Sequence, residues 1–244
     1  MARDDTDHGL PCPGEVVPPE RRTRARLSLP KDAHFDWAAA FGRDGPRVLD
    51  LGCGNGRFLI GSAIRRPDFL HLGVDLVPQA IQHAARRAGE RGLENASFAW
   101  VDARRVLRHR LQPRSVRELH VYHPQPYYEK GEAHLRLLDP EFFHRAWTVL
   151  EPEGILVLQT DNPYYWRYIE RAAPALFELA SHPEPWPDSP EGRTRREIFA
   201  RSRGLEIFRG WLVPKPLAVE AAAEAASRIP RPRFDANRPR FRRK

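Results

Sequence analysis

The chain has 244 residues, 41% of them hydrophobic, and a formal charge of +8. That length can bury one core of ordinary α/β size, and no apolar run approaches the ~18 residues of a membrane span. The placement of the two cysteines, Cys12 in the N-terminal arm and Cys53 in a glycine turn, suggests neither a disulfide framework nor a metal site; Asp4, Asp5 and Asp7 with no apolar run in residues 1–10 argue against a secretory leader, so a cytoplasmic setting is expected.

In chain order, residues 1–34 form a proline-rich arm without periodicity, expected to be flexible. A short helix is expected from His34 to Phe41. The run Val48-Leu49-Asp50-Leu51 then reads as a strand, Gly52-Cys53-Gly54-Asn55-Gly56 as a tight turn, and Arg57 to Arg66 as a helix stopped by Pro67. Phe69 to Asp75 is a second strand, Pro78 to Gly92 a helix with proline in its first turn, and Ala96 to Val101 a third strand. Val116 to Tyr122 is a fourth strand, a helix opens at Asp139-Pro140-Glu141, and Gly154 to Thr160 is a fifth strand. Tyr164 to Ala180 is expected to be helical with a break at Pro174. A short helix follows from Thr194 to Arg203, then a last strand from Leu205 to Val213 and a helix from Leu217 to Ser227. Strands alternating with helices at this spacing define an α/β fold with a mostly parallel, doubly wound sheet.

Aspartates fall at strand ends, where such a sheet holds its ligand: Asp50, Asp75, Asp102 and Asp161. A dinucleotide turn needs a third glycine at position 57, and the residue there is Arg57. Gly52, Gly54 and Gly56 after Asp50 instead resemble the first motif of S-adenosylmethionine-dependent methyltransferases. A sulfonium and an ammonium need no phosphate cradle, and an acidic strand end complements them. The resemblance implies a seven-stranded Rossmann-like methyltransferase sheet with helices on both faces, over residues 35–216. It also implies Asp75 on the adenosine ribose and Asp102 near the adenine amine. A lone aspartate after a strand is otherwise a helix cap.

The segment Tyr122-His123-Pro124-Gln125-Pro126-Tyr127 to Leu138, with Pro140-Glu141-Phe142 after it, resembles the strand-four loop of the bacterial tRNA (guanine-N7)-methyltransferases. Thr160-Asp161-Asn162 with Tyr165, and Thr194-Arg195-Arg196-Glu197, match two further motifs of that family, and the resemblance spans Arg47 to Val213. It implies transfer of the methyl of S-adenosyl-L-methionine to N7 of guanine 46 in tRNA. Gln125 then stands as the catalytic and cofactor-facing residue, and Lys130, Asp161, Thr194 and Glu197 bind substrate. Guanine presents N1–H and N2–H₂ donors, so carboxylates at Asp161 and Glu197 suit it. Its N7 lone pair is already free, so His123 is read as a hydrogen-bonding residue and not a base. The chain departs from the family at Gln125, where the family has an acid, and at Tyr127, where it has tryptophan. Of the basic run only Lys130 and Arg136 remain in register, with His134 in place of a lysine and Glu129 and Glu132 of opposite charge. A methyltransferase with another acceptor, or an RNA-binding relic without turnover, are the alternatives.

The positive charge is concentrated after the last helix. Residues 217–244 comprise that helix and a basic tail, in which Arg228, Arg231, Arg233, Arg238, Arg240, Arg242, Arg243 and Lys244 face only Asp235. Such a tail is expected to stay disordered until it meets a polyanion such as tRNA. No metal and no membrane partner are expected, and the chain should be a monomer or weak homodimer.

Overall fold

The computed structural model describes residues 5–236. Seven strands form one sheet: β1 (Arg47–Leu51), β2 (Leu70–Asp75), β3 (Ala96–Trp100), β4 (Val116–Tyr122), β5 (Leu150–Thr160), β6 (Phe177–Ser181) and β7 (Phe208–Pro214). Their order across the sheet is β3-β2-β1-β4-β5-β7-β6, and only β7 runs against its neighbours. The helices are α1 (Trp37–Phe41), α2 (Arg57–Arg65), α3 (Pro78–Glu90), α4 (Ala103–His109), α5 (Pro140–Val149), α6 (Pro163–Ala172), α7 (Arg195–Ser202) and α8 (Val219–Ser227).

The two-residue period of the strands sorts side chains onto opposite faces. Leu49, Leu51, Leu119, Val121, Leu156 and Leu158 join one core with α5 and α6, whereas Val48, Tyr122 and Val157 join the other with Phe58 of α2 and Ile81 of α3. The covered faces explain why β1 and β5 read as nearly continuous apolar runs.

Three expectations are corrected. The helix expected through Ala180 ends at Ala172. Pro174 sits in a single 3-10 turn, and Phe177–Ser181 continues as β6, paired antiparallel with β7. Phe177 is fully buried there, so pairing and burial override the helix propensity of Glu178, Leu179 and Ala180. A second correction concerns the N-terminal arm, which is packed over its described residues. Thr6–Asp7 and Leu10–Pro11 form a small hairpin. Leu27 donates its amide to the Phe98 carbonyl at 3.0 Å and Phe98 to that of Ala25 at 2.8 Å, which covers the free edge of β3.

The third correction is the start of the basic tail. After α8 the chain crosses the sheet end as an ordered strap with Ile229, Pro232 and Ala236 buried. The Phe234 ring lies 5.2 Å from that of Tyr165. The basic residues from Arg238 onward fall outside the described residues.

Candidate active site

Gly52, Gly54 and Gly56 all have left-handed φ values, 81°, 54° and 79°, so each position favours glycine on backbone grounds. Their surroundings differ. A Cβ on Gly56 would meet Ala84 at 2.8 Å and Phe98 at 2.9 Å, so that glycine lets α2 and α3 pack closely. A Cβ on Gly52 or Gly54 would meet nothing within 4 Å, so these two present bare backbone to open space.

That space is a cleft of about 880 Å³ at the carboxyl ends of β1 and β4. Asp50, Gly52, Cys53 and Gly54 form its floor, and Tyr122, His123, Thr194, Arg196 and Phe199 line another side. Asp50 is 2% exposed and its Oδ1 has no hydrogen-bond partner among the described residues. Burial, with Asp75 adding repulsion, pushes its carboxyl well above the usual range. An orphaned acidic oxygen in a low-dielectric floor is a receptor for a cation, which would restore its charge. Cys53 stays a thiol, pushed up by burial and then by Asp50.

Asp75 ends β2 and accepts amide hydrogens from Gly54 at 2.9 Å and Val77 at 2.8 Å. It therefore ties the glycine turn to the start of α3. Each oxygen keeps a further lone pair. Asp102 accepts from the Arg105 amide at 3.0 Å as the N-cap of α4 and does not line the cleft, so the plainer alternative holds for its Oδ1.

Behind the cleft wall lies a polar network. Gln159 accepts the Trp186 indole N–H at Oε1, 2.6 Å, so its amide nitrogen faces Glu197 at 3.0 Å and the Nε2 of His123 at 2.9 Å. His123 must then accept at Nε2 and donate from Nδ1 to Asp161 Oδ1, 2.9 Å away. The hydrogen-bonding role expected of His123 is the one found. The Arg196 guanidinium takes Asp161 Oδ2 at 2.6 Å. Burial alone would raise the Asp161 carboxyl, but the bonds from His123 and Arg196 outweigh it and hold it down at about 2. His123 and Arg196 stand between Asp161 and the open cleft, and the Asp161 side chain is 10% exposed.

Glu197 is corrected more strongly. It is fully buried, pairs with Arg209 at 2.7 Å, and accepts from Gln159 and from the Arg193 amide at 2.9 Å. Its carboxylate is consumed in holding α7 against β7, which leaves nothing to offer a guanine. Thr194 caps α7 by accepting the Glu197 amide at 3.0 Å and still lines the cleft. Gln125 is exposed on the loop between His123 and Tyr127, both with left-handed φ (50° and 45°), and does not line the cleft. The Lys130 side chain lies outside the described residues; its backbone opens the 3-10 turn Lys130–Leu135.

The N-terminal hairpin was absent from the expected site. Asp7 is 1% exposed and accepts from Asn55 at 2.6 Å, Arg57 at 3.3 Å and Arg87 at 3.1 Å, while the His8 ring lies 5.3 Å from Phe199. Thr6, Asp7 and His8 thus wall the cleft between the glycine turn and α7. The turn signal Asp7-His8-Gly9 was the local clue.

Among the described residues no group of three or more His, Cys, Asp or Glu could hold a metal. No described helix is long and apolar enough to cross a membrane.

A sheet of this order, with a glycine turn and an unpartnered acidic strand end above it, defines a Rossmann-like S-adenosylmethionine-dependent methyltransferase. The family described as "Putative methyltransferase" matches residues 44–209. A tRNA (guanine-N(7)-)-methyltransferase of Halorhodospira halophila is 31% identical over 74% of this chain and 80% of its own length. One of Thermus thermophilus is 35% identical over 59% of this chain and 47% of its own. Among solved structures, the 16S rRNA methyltransferase KamB superposes with a TM-score of 0.56 at 18% identity, covering 77% of this chain and 99% of that one. The chain belongs to the tRNA (guanine-N7)-methyltransferase family.

Proposed function

We propose that this protein transfers the methyl group of S-adenosyl-L-methionine to N7 of guanine 46 in tRNA, in the cytoplasm and without a metal. The observation that carries the reading is Asp50, a buried carboxylate oxygen without a partner beneath two glycines that leave open space. The donor set fits the cofactor: Asp50 faces its cationic end, the bare backbone of Gly52 and Gly54 lets it lie close, and Asp75 keeps lone pairs for ribose hydroxyls. Bound there, the cofactor supplies an electrophilic methyl group.

The residues of the chain then have to place a guanine. N7 needs no deprotonation, so the work is alignment, an effect of up to ~7–11 kcal/mol when the geometry is held. Tyr122 is held as a neutral phenol by burial, accepting from Arg193 at 2.8 Å, and forms a fixed wall of the cleft. Asp161 lies behind His123 and Arg196, and the one lone pair left on each of its oxygens would suit the N1–H and N2–H₂ donors of a guanine that displaces the Arg196 side chain. Phe199 adds an aromatic ring to the same wall, packed against His8 and Arg196. Thr194 lines the same side, and Gln125 and Lys130 sit on the loop that would close over the acceptor.

The test is methyl transfer to an unmodified tRNA transcript, followed by digestion and nucleoside analysis. The reading requires 7-methylguanosine as the labelled product. Label in another nucleoside, or tight cofactor binding with no transfer to tRNA, would refute it.

A further inference from the structure

The start of the basic tail and the segment after β4 enclose a second concavity of about 880 Å³. Five arginines line it, Arg104, Arg108, Arg136, Arg231 and Arg233, against the three carboxylates of Asp139, Glu141 and Asp235. Three of the arginines are committed. Arg104 pairs with Asp139 at 2.7 Å and Arg108 with Glu141. Arg136 is 1% exposed, and its donors all go to backbone carbonyls among the described residues. It donates from Nε to the Pro126 carbonyl at 2.7 Å, from one terminal nitrogen to that of Tyr127 at 2.9 Å, and from the other to that of Pro232, with its plane 3.9 Å from the Phe234 ring. One buried cation thus joins the loop that carries Gln125 to the strap. Asn162 adds a second tie, donating to the Ala236 carbonyl at 2.9 Å beside Asp161. Arg231 and Arg233 are exposed, and no side-chain bond or ion pair engages them among the described residues.

We infer that this groove grips the phosphodiester backbone of the tRNA, with Arg231 and Arg233 as the contacting charges and Arg136 fixing the grip relative to the acceptor loop. The inference rests on the tRNA reading above. The loop retains only Lys130 and Arg136 of a basic run, and burial removes Arg136 from any phosphate. Arg231 and Arg233 supply forked donors at the same place, on a strap held by the Arg136 and Asn162 hydrogen bonds.

The test is the double reversal R231E/R233E in the full chain, compared with wild type and with R24E/R26E, a charge-matched change at two exposed arginines on the N-terminal segment. Three quantities are read: tRNA affinity across a salt series, S-adenosylhomocysteine affinity, and the thermal midpoint. Each phosphate contact contributes about 0.7–0.9 to the slope of log K against log salt, so R231E/R233E should flatten that slope by about 1.5. It should also weaken tRNA binding at least about tenfold, leave cofactor affinity within about twofold, and exceed the effect of R24E/R26E. A slope equal to that of wild type, or equal losses in the two double variants, overturns the inference. If wild type still forms 7-methylguanosine in that case, only the groove is lost; if wild type binds no tRNA, the groove and the proposed function fall together.

Discussion

His123 Nδ1 lies 2.9 Å from Asp161 Oδ1, and the orientation of Gln159 makes the histidine the donor. Asp161 is thereby held as an anion with one lone pair of each oxygen already used, by His123 on one side and Arg196 on the other. If Asp161 receives the guanine edge, Asp161→Asn should lose a charge-assisted bond of about 1.5–3 kcal/mol, roughly tenfold to a hundredfold in kcat/KM. S-adenosylhomocysteine affinity by calorimetry should stay at the wild-type value. A proportional loss of cofactor affinity would assign Asp161 to the cleft's architecture instead.

Gln125 replaces the family's acid on an exposed loop, and the strap ties that loop down through Arg136. If an amide suffices there, Gln125→Ala should lower kcat more than it weakens cofactor binding, and Gln125→Asp should keep or raise activity. Wild-type inactivity on tRNA with activity gained in Gln125→Asp would make the chain a binding relic. No effect of either change would make Gln125 a bystander.

Asp75 anchors the glycine turn and is not among the residues lining the cleft, so its proposed role on the ribose needs a direct test. Asp75→Asn keeps the shape but presents a weaker acceptor, so S-adenosylhomocysteine should bind about tenfold or more weakly, with charge-assisted bonds of about 1.5–3 kcal/mol each at stake. Affinity within about threefold of wild type in titration calorimetry would contradict this role.

Acid should destabilise the fold through His71, whose side chain is buried between Ser62 Oγ at 3.0 Å and the Phe69 carbonyl at 3.1 Å. Burial, with Arg66 adding repulsion, lowers its pKa from 6.5 to about 3. Between those values the unfolded chain binds the proton and the folded one does not, so stability falls as pH drops through that window. The loss is on the order of 4–5 kcal/mol by pH 3. Denaturant titrations from pH 7 to pH 4 should show this slope, and His71→Gln should flatten it. An equal slope in the variant would place the acid sensitivity elsewhere.

The parts legible in the sequence are those set by local pattern. Val48 to Leu59 announces strand, turn and helix because periodicity and glycine spacing change within a few residues. Thr194 and Glu197 were legible as a motif, but the role of Glu197 is set by Arg209 on β7, a partner no local pattern names. Strand β6 was hidden because Glu178, Leu179 and Ala180 suit a helix, and only pairing with β7 decides against it. The N-terminal wall was hidden for the same physical reason. Asp5 and Asp7 find Arg57, Arg87 and Arg91 far along the chain, and such ion pairs leave no periodic trace. The ordered strap likewise depends on Arg136 and Asn162, both remote in sequence from Pro232 and Ala236.

The central claim concerns one atom of the acceptor, so the most direct measurement replaces that atom. Two tRNA transcripts, one with guanine and one with 7-deazaguanine at position 46, would be incubated with the protein and labelled S-adenosylmethionine. The account predicts methyl uptake by the first and none by the second. Equal uptake by both transcripts would contradict it.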